Sequence, residues 1–583
     1  MAVEKLIVDH IDTWTTALQT RSTAGRGSSG KIDLYGIKKL RELILELAVR
    51  GKLVPQDPND EPASELLKRI AAEKAELVKQ GKIKKPKPLP EISEEEKPFE
   101  LPVGWEWVRL NDVAEYIQRG KGPKYSEHGH VRVVSQKCVQ WNGFKLEQSR
   151  WITDESVAAY TEERFLKDGD VLWNSTGAGG TAGRVIYLPA VTEKLVVDSH
   201  VTLIRTIKQN GQFICNYIST YGIQQRFDPK HPNTLLSGTT NQAELNASVV
   251  TSFMTPFPPQ KEQERINSKV AELMSLCDQL ELHSLTSLDA HQQLVETLLT
   301  TLTDSQNADE LAENWARISE HFDTLFTTEA SIDALKQTIL QLAVMGKLVP
   351  QDPNDEPASE LLKRIAQEKA QLVKDGKIKK QKPLPPISDE EKPFELPIGW
   401  EWCRLGECIN LISGQHLKPD EYEEECHGEM LPYITGPAEF GLISPTYSKY
   451  TNEKRAIAAK GDILITCKGA GLGKLNVADT NIAISRQLMA INVIRMNSEY
   501  LKIILDSMYG YFQSKGVGIA IPGISREDVM EPLIMLPPFE EQKRIMENLY
   551  KLNFLIEDIK FRIKSAQQTQ LHLADALTDA AIN

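Results

Sequence analysis

Apolar positions recur with the period of a helix seam in two stretches of this 583-residue chain. Beyond Pro259, the residues Ile266, Val270, Leu273, Cys277 and Leu280 step by four and three in alternation. Beyond Pro538, Ile545, Leu549, Leu552, Ile556, Ile559 and Ile563 do the same. Such spacing lays one apolar stripe along a helix, and a stripe of this kind needs a partner helix to cover it. The first five positions correspond across the two stretches, which predicts two long helices packed on each other. About 35 helical residues in each would make an arm ~50 Å long at ~1.5 Å per residue.

Other segments carry different periods. "ASELLKRIAAEKAELVKQGK" reads as a helix, with Ser64 placed to cap it and Gly81 to end it. The "KIKKPKPLPEISEEEKPFELP" that follows is broken by proline and charge, which predicts an extended strap. Its Lys82, Lys84, Lys85 and Lys87 are read as solvated charges or a subunit contact rather than phosphate ligands. "TAGRGSSGK" around Arg26 reads as a flexible loop. Short β-rich runs mark residues 103–260: "VRVVSQKCV", "DVLWNST", "RVIYLP" and "HVTLIRT". "DILITCKG", "LNVAD" and "LMAINVIRM" mark residues 396–540. Helical stretches follow near "ICNYISTYGIQQRF" and "SEYLKIILDSMYGYFQ".

The chain is a duplication. "GKLVPQDPNDEPASELLKRIA" at Gly51–Ala71 returns unchanged at Gly346–Ala366, 295 residues on. "KPFELPVGWEWVRL" is answered by "KPFELPIGWEWCRL" at the same spacing. The likeness then stops, and resumes at "PPQKEQERI" and "PPFEEQKRI", 279 residues apart, so the second divergent stretch is shorter by 16 residues. Two copies at so long a period make a doubled chain rather than a solenoid. Five segments are expected: a helical repeat with strap (1–102), a mixed module (103–260), a spacer helix with the second repeat and strap (261–395), a second mixed module (396–540) and a closing spacer helix (541–583).

Composition narrows the class. Hydrophobic content of 41% with 26% charged residues suits a soluble globular protein, and the seven cysteines form no CxxC pair. They read as reduced, buried thiols in a cytoplasmic protein without a membrane partner. The net charge of −13 is uneven, with +1 over residues 101–260 and −4 over 396–536. Charge therefore lends no support of its own to nucleic-acid binding, and modules this near neutrality imply weak DNA binding by the chain alone.

Several near-motifs fail. "TGAGGTAGRV" follows a strand but runs on into another strand, leaving no helix N-terminus for a phosphate. "KGAGLGKLNV" has Lys468 in place of the first P-loop glycine and Leu475 in place of the magnesium-binding hydroxyl. Both read as hairpin turns. The two Pro-Pro sites resemble an adenine-methyltransferase motif, but Phe257 and Leu536 stand where it needs a polar side chain. No catalytic, metal or cofactor residue is expected on this chain. Trp105, Trp107, Trp400 and Trp402, at strand-like spacing in both copies, read as core anchors.

The ordered double set of "LPVGWEWVRL", "GDVLWNST" and "PPQKEQERI" with "LPIGWEWCRL", "GDILITCKG" and "PPFEEQKRI" resembles the specificity subunits of type I restriction-modification systems. The long repeat is similar to the subgroup with long internal repeats. That resemblance implies an α+β fold: two α/β target-recognition domains with twisted β-sheets, separated by long antiparallel coiled-coil helices with internal pseudo-two-fold symmetry. It implies that each domain reads one half of a bipartite, asymmetric site in double-stranded DNA. It further implies two modification subunits carrying S-adenosylmethionine and two restriction subunits carrying ATP and magnesium. Identical repeats would then face identical partners. A structural coiled-coil adaptor, or a stand-alone methyltransferase or nuclease, are the rival readings.

Base edges and phosphates are met by polar and basic side chains on loops. In the first module the candidates are Arg119, Lys121, Lys124, Gln136, Lys137, Asn174, Ser175, Thr176 and His200. Ser237, Thr239, Thr240 and Asn241 join them, at the expected start of a helix whose amides would hold a phosphate. In the second module they are Gln415, His416, Lys418, Lys468, Lys474, Arg486, Gln487, Ser525 and Arg526.

Overall fold

A computed structural model describes all residues except 1–2, 22–30, 86, 178–179, 239–242, 393, 470, 517–521 and 583. The loop expected around Arg26 lies outside the described residues. The chain divides into two compact units, Met1–Ser287 with Ser565–Asn583, and Leu288–Lys564. No helix among the described residues is long and apolar enough to cross a membrane.

Each unit holds one mixed module, and the two modules share one strand order despite their unlike sequences. In the first, an antiparallel sheet runs Val185–Tyr187, Val171–Asn174, Val201–Thr206, Ala114–Arg119. In the second it runs Leu475–Val477, Ile463–Thr466, Leu488–Val493, Ile409–Ser413. A second sheet contains a parallel pair in both modules, Arg132–Val134 with Leu195–Val197 and Leu431–Ile434 with Ile482–Ile484. The first and last strands of each module close on each other, Glu106–Arg109 with Met254–Phe257 and Glu401–Arg404 with Leu533–Leu536.

A few shared residues account for the common frame. Asp170 and Asp462 are buried and accept the backbone N–H of Lys167 (2.7 Å) and Ala459 (2.8 Å). The glycines before them, Gly169 (φ +88) and Gly461 (φ +91), take a conformation that L side chains resist. Gly120 and Gly414 lie against the backbone at the end of the parallel strand. A Cβ there would sit 2.1 Å from the Val197 carbonyl oxygen in one module and 2.0 Å from that of Ser485 in the other.

The long helices run Gln260–Asp304, 45 residues, and Phe539–Ile582, 44 residues. Each is therefore ~66–68 Å long at ~1.5 Å per residue. This exceeds the expected length because no proline or glycine interrupts either segment, so the helix outlasts the heptad stripe. The stripe is buried at Ile266, Val270, Leu273, Cys277, Ile545, Leu549 and Ile556. A shorter repeat helix takes part in that packing, which the heptad pattern did not reveal. In the first unit this is Tyr35–Val49, whose Arg41 reaches Asp278 (2.6 Å) and Glu281 (3.0 Å). In the second it is Glu329–Val344, whose Ile332, Leu335 and Ile339 share a core with Ile545, Leu549 and Ile556.

The repeated motifs fasten module to helix. Glu262 and Glu541 accept the indole N–H of Trp105 (2.9 Å) and Trp400 (3.0 Å). Gln263 accepts the Asn210 N–H (3.0 Å) and donates to the Pro258 carbonyl (2.9 Å); Gln542 does the same with Asn497 (2.9 Å) and Pro537 (3.0 Å). Arg265 pairs with Asp60 (2.5 Å) and Arg544 with Asp355 (2.6 Å). The strap is pinned as well: Arg109 donates to Pro90 O and Glu96, and Arg404 to Pro385 O and Glu391. Lys52 donates to the Ile582 carbonyl (2.5 Å), and Lys347 to those of Thr303 (2.6 Å) and Ser305 (2.9 Å). Each lysine thus caps the carboxyl end of a long helix, where the dipole favours a cation.

The helix expected after Pro62 forms at Ala63–Lys79 and again at Ala358–Lys374. Ser64 does not cap it: Pro62 holds the cap position, and the Ala63 amide donates to the Gly104 carbonyl (2.8 Å). Gly81 ends it at φ +71, as expected.

Burial pushes the Glu262 and Glu541 carboxyls above their ordinary value of 4.5, against the opposing indole N–H groups and Arg265 and Arg544. A raised carboxyl favours the fold while protonated, and that contribution fades as pH climbs through the folded value. The variant E262Q,E541Q is therefore expected to lose less melting temperature than the native chain as pH rises above 4.5. Thermal melting across pH 4 to 8 checks it. Gly414→Ala is expected to destabilise the second module by roughly 3 kcal/mol or more. Gly510→Ala, with nothing within 4 Å of its Cβ, is expected to be near neutral in the same denaturation assay.

Candidate nucleic-acid interface

Strand register gathers the candidates of each module at one edge. In the first module Val201 pairs with Asn174 and Thr202 with Arg119. The ends of Ala114–Arg119 and Val171–Asn174 therefore meet the start of Val201–Thr206. Thr176 and Ser237 each bridge to Glu244, and the Asn174 amide donates to the Gln136 carbonyl (3.2 Å). Arg119, Gln136, Asn174, Ser175, Thr176, His200 and Ser237 come together in this way.

In the second module Thr466 pairs with Leu488 and Met489 with Ser413. The Cys467 amide donates to the Gln487 carbonyl (2.8 Å), and the Gln415 amide to that of Ile484 (2.8 Å). Lys468 bridges to Gly523, and Thr466 N–H reaches Lys474 O (2.9 Å). Gln415, Lys468, Lys474, Arg486, Gln487, Ser525 and Arg526 share the equivalent edge, and His416 and Lys418 follow it on exposed backbone. The two Gly-rich stretches are the hairpin turns at these edges, between antiparallel strands.

Side-chain partners sort the candidates. Asn174 and Ser175 are fully buried and are corrections to the sequence reading. Asn174 Nδ2 donates to the carbonyls of Gln136, Val139 and Thr181, and Ser175 Oγ pairs with Thr202 Oγ1 (2.5 Å). They end a strand buried on both faces, so their polarity serves the loop behind them. Arg119 bonds the Ser199 carbonyl and pairs with Glu244 (2.9 Å). Lys121 donates to Ala159 O (3.1 Å) and Lys124 pairs with Glu155 (3.0 Å). Arg526 donates to Ser413 Oγ (2.8 Å) and Leu411 O (2.9 Å), and Ser525 Oγ donates to Asp528 (2.7 Å).

Ser237 opens no helix. It lies in a bridge, and the next helix is the six-residue Ala247–Ser252. Thr239, Thr240 and Asn241 lie outside the described residues.

What stays open to a ligand differs between the modules. His200 is exposed; its amide donates to Asp198 Oδ1 (2.8 Å) and its Nδ1 meets Thr176 Oγ1 (2.6 Å), which leaves Nε2 facing outward. Burial raises the Asp198 carboxyl above its ordinary value, against that backbone N–H. Lys137 is exposed, and the Gln136 Oε1 is buried without a hydrogen-bond partner. In the second module Gln415, His416, Lys418, Lys468, Lys474, Arg486 and Gln487 are all exposed.

The sequence reading missed Arg184. The Asn174 amide donates to its carbonyl (2.8 Å), as Thr466 does to that of Lys474, so Arg184 and Lys474 are equivalent. Only strand register shows this, because the turns between differ in length. Among the described residues no group of His, Cys, Asp or Glu is placed to hold a metal ion.

Residues 102–289 and 397–565 match the type I restriction modification DNA specificity domain. The chain is similar over its full length to the type I restriction enzyme EcoAI specificity subunit of Escherichia coli, 51% identical over 608 aligned residues with 100% of both chains covered. It is likewise similar to the EcoEI specificity subunit of Escherichia coli, 50% identical over 617 aligned residues with the same coverage. Among solved structures it is similar to the HsdS subunit of Thermoanaerobacter tengcongensis, 20% identical over 83% of this chain and 98% of that one, with a TM-score of 0.46. Matched in both modules by that domain, and from end to end by two of its members at half identity, the chain belongs to the family of type I restriction-modification specificity subunits.

Proposed function

We propose that this chain is the DNA-reading subunit of a type I restriction-modification complex, each module reading one half of a bipartite, asymmetric duplex site. The observation that carries the reading is one strand frame used twice with unlike side chains at equivalent edge positions. Thr176 and His200 in one module stand where Lys468 and Gln487 stand in the other. A common frame presents the loops alike, and different residues on it suit different bases. His200, Gln136 and Lys137 are the leading candidates in the first module; Gln415, His416, Lys418, Lys468, Lys474, Arg486 and Gln487 in the second. The two long helices would set the distance between the half-sites.

The repeats support two copies of a modification subunit, and beyond them two restriction subunits. Asp57, Asn59, Glu65 and Lys68 are exposed, as are their counterparts Asp352, Asn354, Glu360 and Lys363. Asn59 and Asn354 close the same turn on Asp57 and Asp352, at 2.9 Å in each. Exposed residues tolerate substitution within about 0.5 kcal/mol, so packing alone does not hold them identical. A partner met twice in the same way does. Methyl transfer with S-adenosylmethionine and ATP- and magnesium-dependent cleavage would lie on those partners, in the cytoplasm, and no chemistry is assigned to this chain.

Sequencing of modified DNA in cells carrying the whole system tests this. Arg486→Ala is expected to change or abolish recognition of one half-site while the other half is kept. An unchanged sequence, or a native site that proves to be one uninterrupted word, would overturn the reading. Asn174→Ala is expected to leave the modified sequence unaltered and to cost ~1–3 kcal/mol of stability, since three carbonyls lose their donor.

A further inference from the structure

The two edges are equivalent in backbone and unequal in charge. Lys468 and Lys474 flank one hairpin turn, and Arg486 stands beside it, its carbonyl accepting from Cys467 Sγ (3.6 Å). All three side chains are exposed. Among the described residues none of the three is held by a carboxylate or carbonyl.

The equivalent positions in the first module are Thr176, Arg184 and Ser199. The single cation there is occupied, since Arg184 donates to Gly180 O (3.1 Å) and to the Gln140 side chain. Of the neighbouring candidate cations, Arg119 is bound to Glu244, Lys121 to Ala159 O and Lys124 to Glu155, which leaves Lys137 as the one candidate cation of this module whose side chain has no such partner among the described residues.

We propose that the second module is the electrostatic anchor of this chain on duplex DNA, with Lys468 and Lys474 each neutralising a backbone phosphate beside the base-reading Arg486, and that the first module adds less to the salt-dependent part of binding. The proposal rests on the DNA-reading role above and adds a division of labour to it. A free cation that meets a phosphate releases condensed counterions and makes affinity fall with salt. A cation already paired with its own carboxylate must give up that partner first, so its net release is smaller. A lysine ammonium is a compact point charge that suits a phosphate without reading a base. The net −4 of the second module is no measure of this edge, because six of its carboxylates fall between Asp420 and Glu429.

The test uses the chain assembled with its modification subunits and a duplex carrying the recognised site. Kd is measured across 50 to 200 mM salt. K468Q,K474Q is expected to lower the slope of log Kd against log salt by about two, at ~0.9 per phosphate contact. The companion variant K121Q,K124Q is expected to leave the slope within about half of one contact. K468R,K474R is expected to restore the native slope, which separates lost charge from a disturbed fold. An equal fall in both glutamine variants, a fall in the first-module variant alone, or no fall in K468Q,K474Q overturns the proposal. A native complex without salt-dependent duplex binding overturns the DNA-reading role as well, and so marks that failure apart from this one.

Discussion

Trp105 donates its indole proton to the buried carboxylate of Glu262, and Trp400 does the same to Glu541. On this contact and its neighbours the rest of the molecule depends. A buried carboxylate is costly unless its oxygens are bonded, so the tryptophan and glutamate must stay in register. Gln263 and Gln542 lock the same helix start to the next helix of the module through backbone groups. The module therefore enters its long helix at one angle, whatever side chains its outer edge carries. A reader of sequence needs that separation: the edge must be free to change while the mounting stays rigid.

The same logic explains why so much of the repeat is word for word. Gly51 and Gly346 lie under Trp105 and Trp400 with no room for a side chain. Lys52 and Lys347 cap long-helix ends, and Asp60 and Asp355 hold Arg265 and Arg544. These residues are fixed by contacts inside the chain. The exposed remainder, such as Asp57 and Lys68, has no such internal constraint beyond its own turn or helix. The mounting of the modules thus accounts for one part of the duplicated surface, and the exposed remainder is the part on which the proposed docking of a repeated partner rests.

Between the motifs, the modules show how little sequence a frame requires. The likeness fades after Leu110 and Leu405, yet the order of the four-stranded antiparallel sheet and the parallel pair beside it are kept. Buried strands accept any apolar residues that fit, as "VLWN" and "ILIT" do. What cannot change are the Gly–Asp turns and the close approach at Gly120 and Gly414, where backbone meets backbone. Only these few positions carry the common design.

The sequence by itself determined the duplication, the two long helices, the mixed modules, the hairpin nature of the Gly-rich stretches and the anchoring role of the tryptophans. All of these follow from local periodicity or from repetition, which one chain displays openly. Most of the candidate residues it offered gather at one edge of each module. Only the tertiary structure decided which of them are free. Asn174 and Arg486 look alike as polar residues near a strand end, yet one is buried beneath three carbonyls and the other is exposed. The length of the helices beyond their seams, the pinned strap and the equivalence of Arg184 with Lys474 were decided there too. Each depends on partners far apart in the chain, and a hydrogen bond between distant residues leaves no periodic trace in the letters that make it.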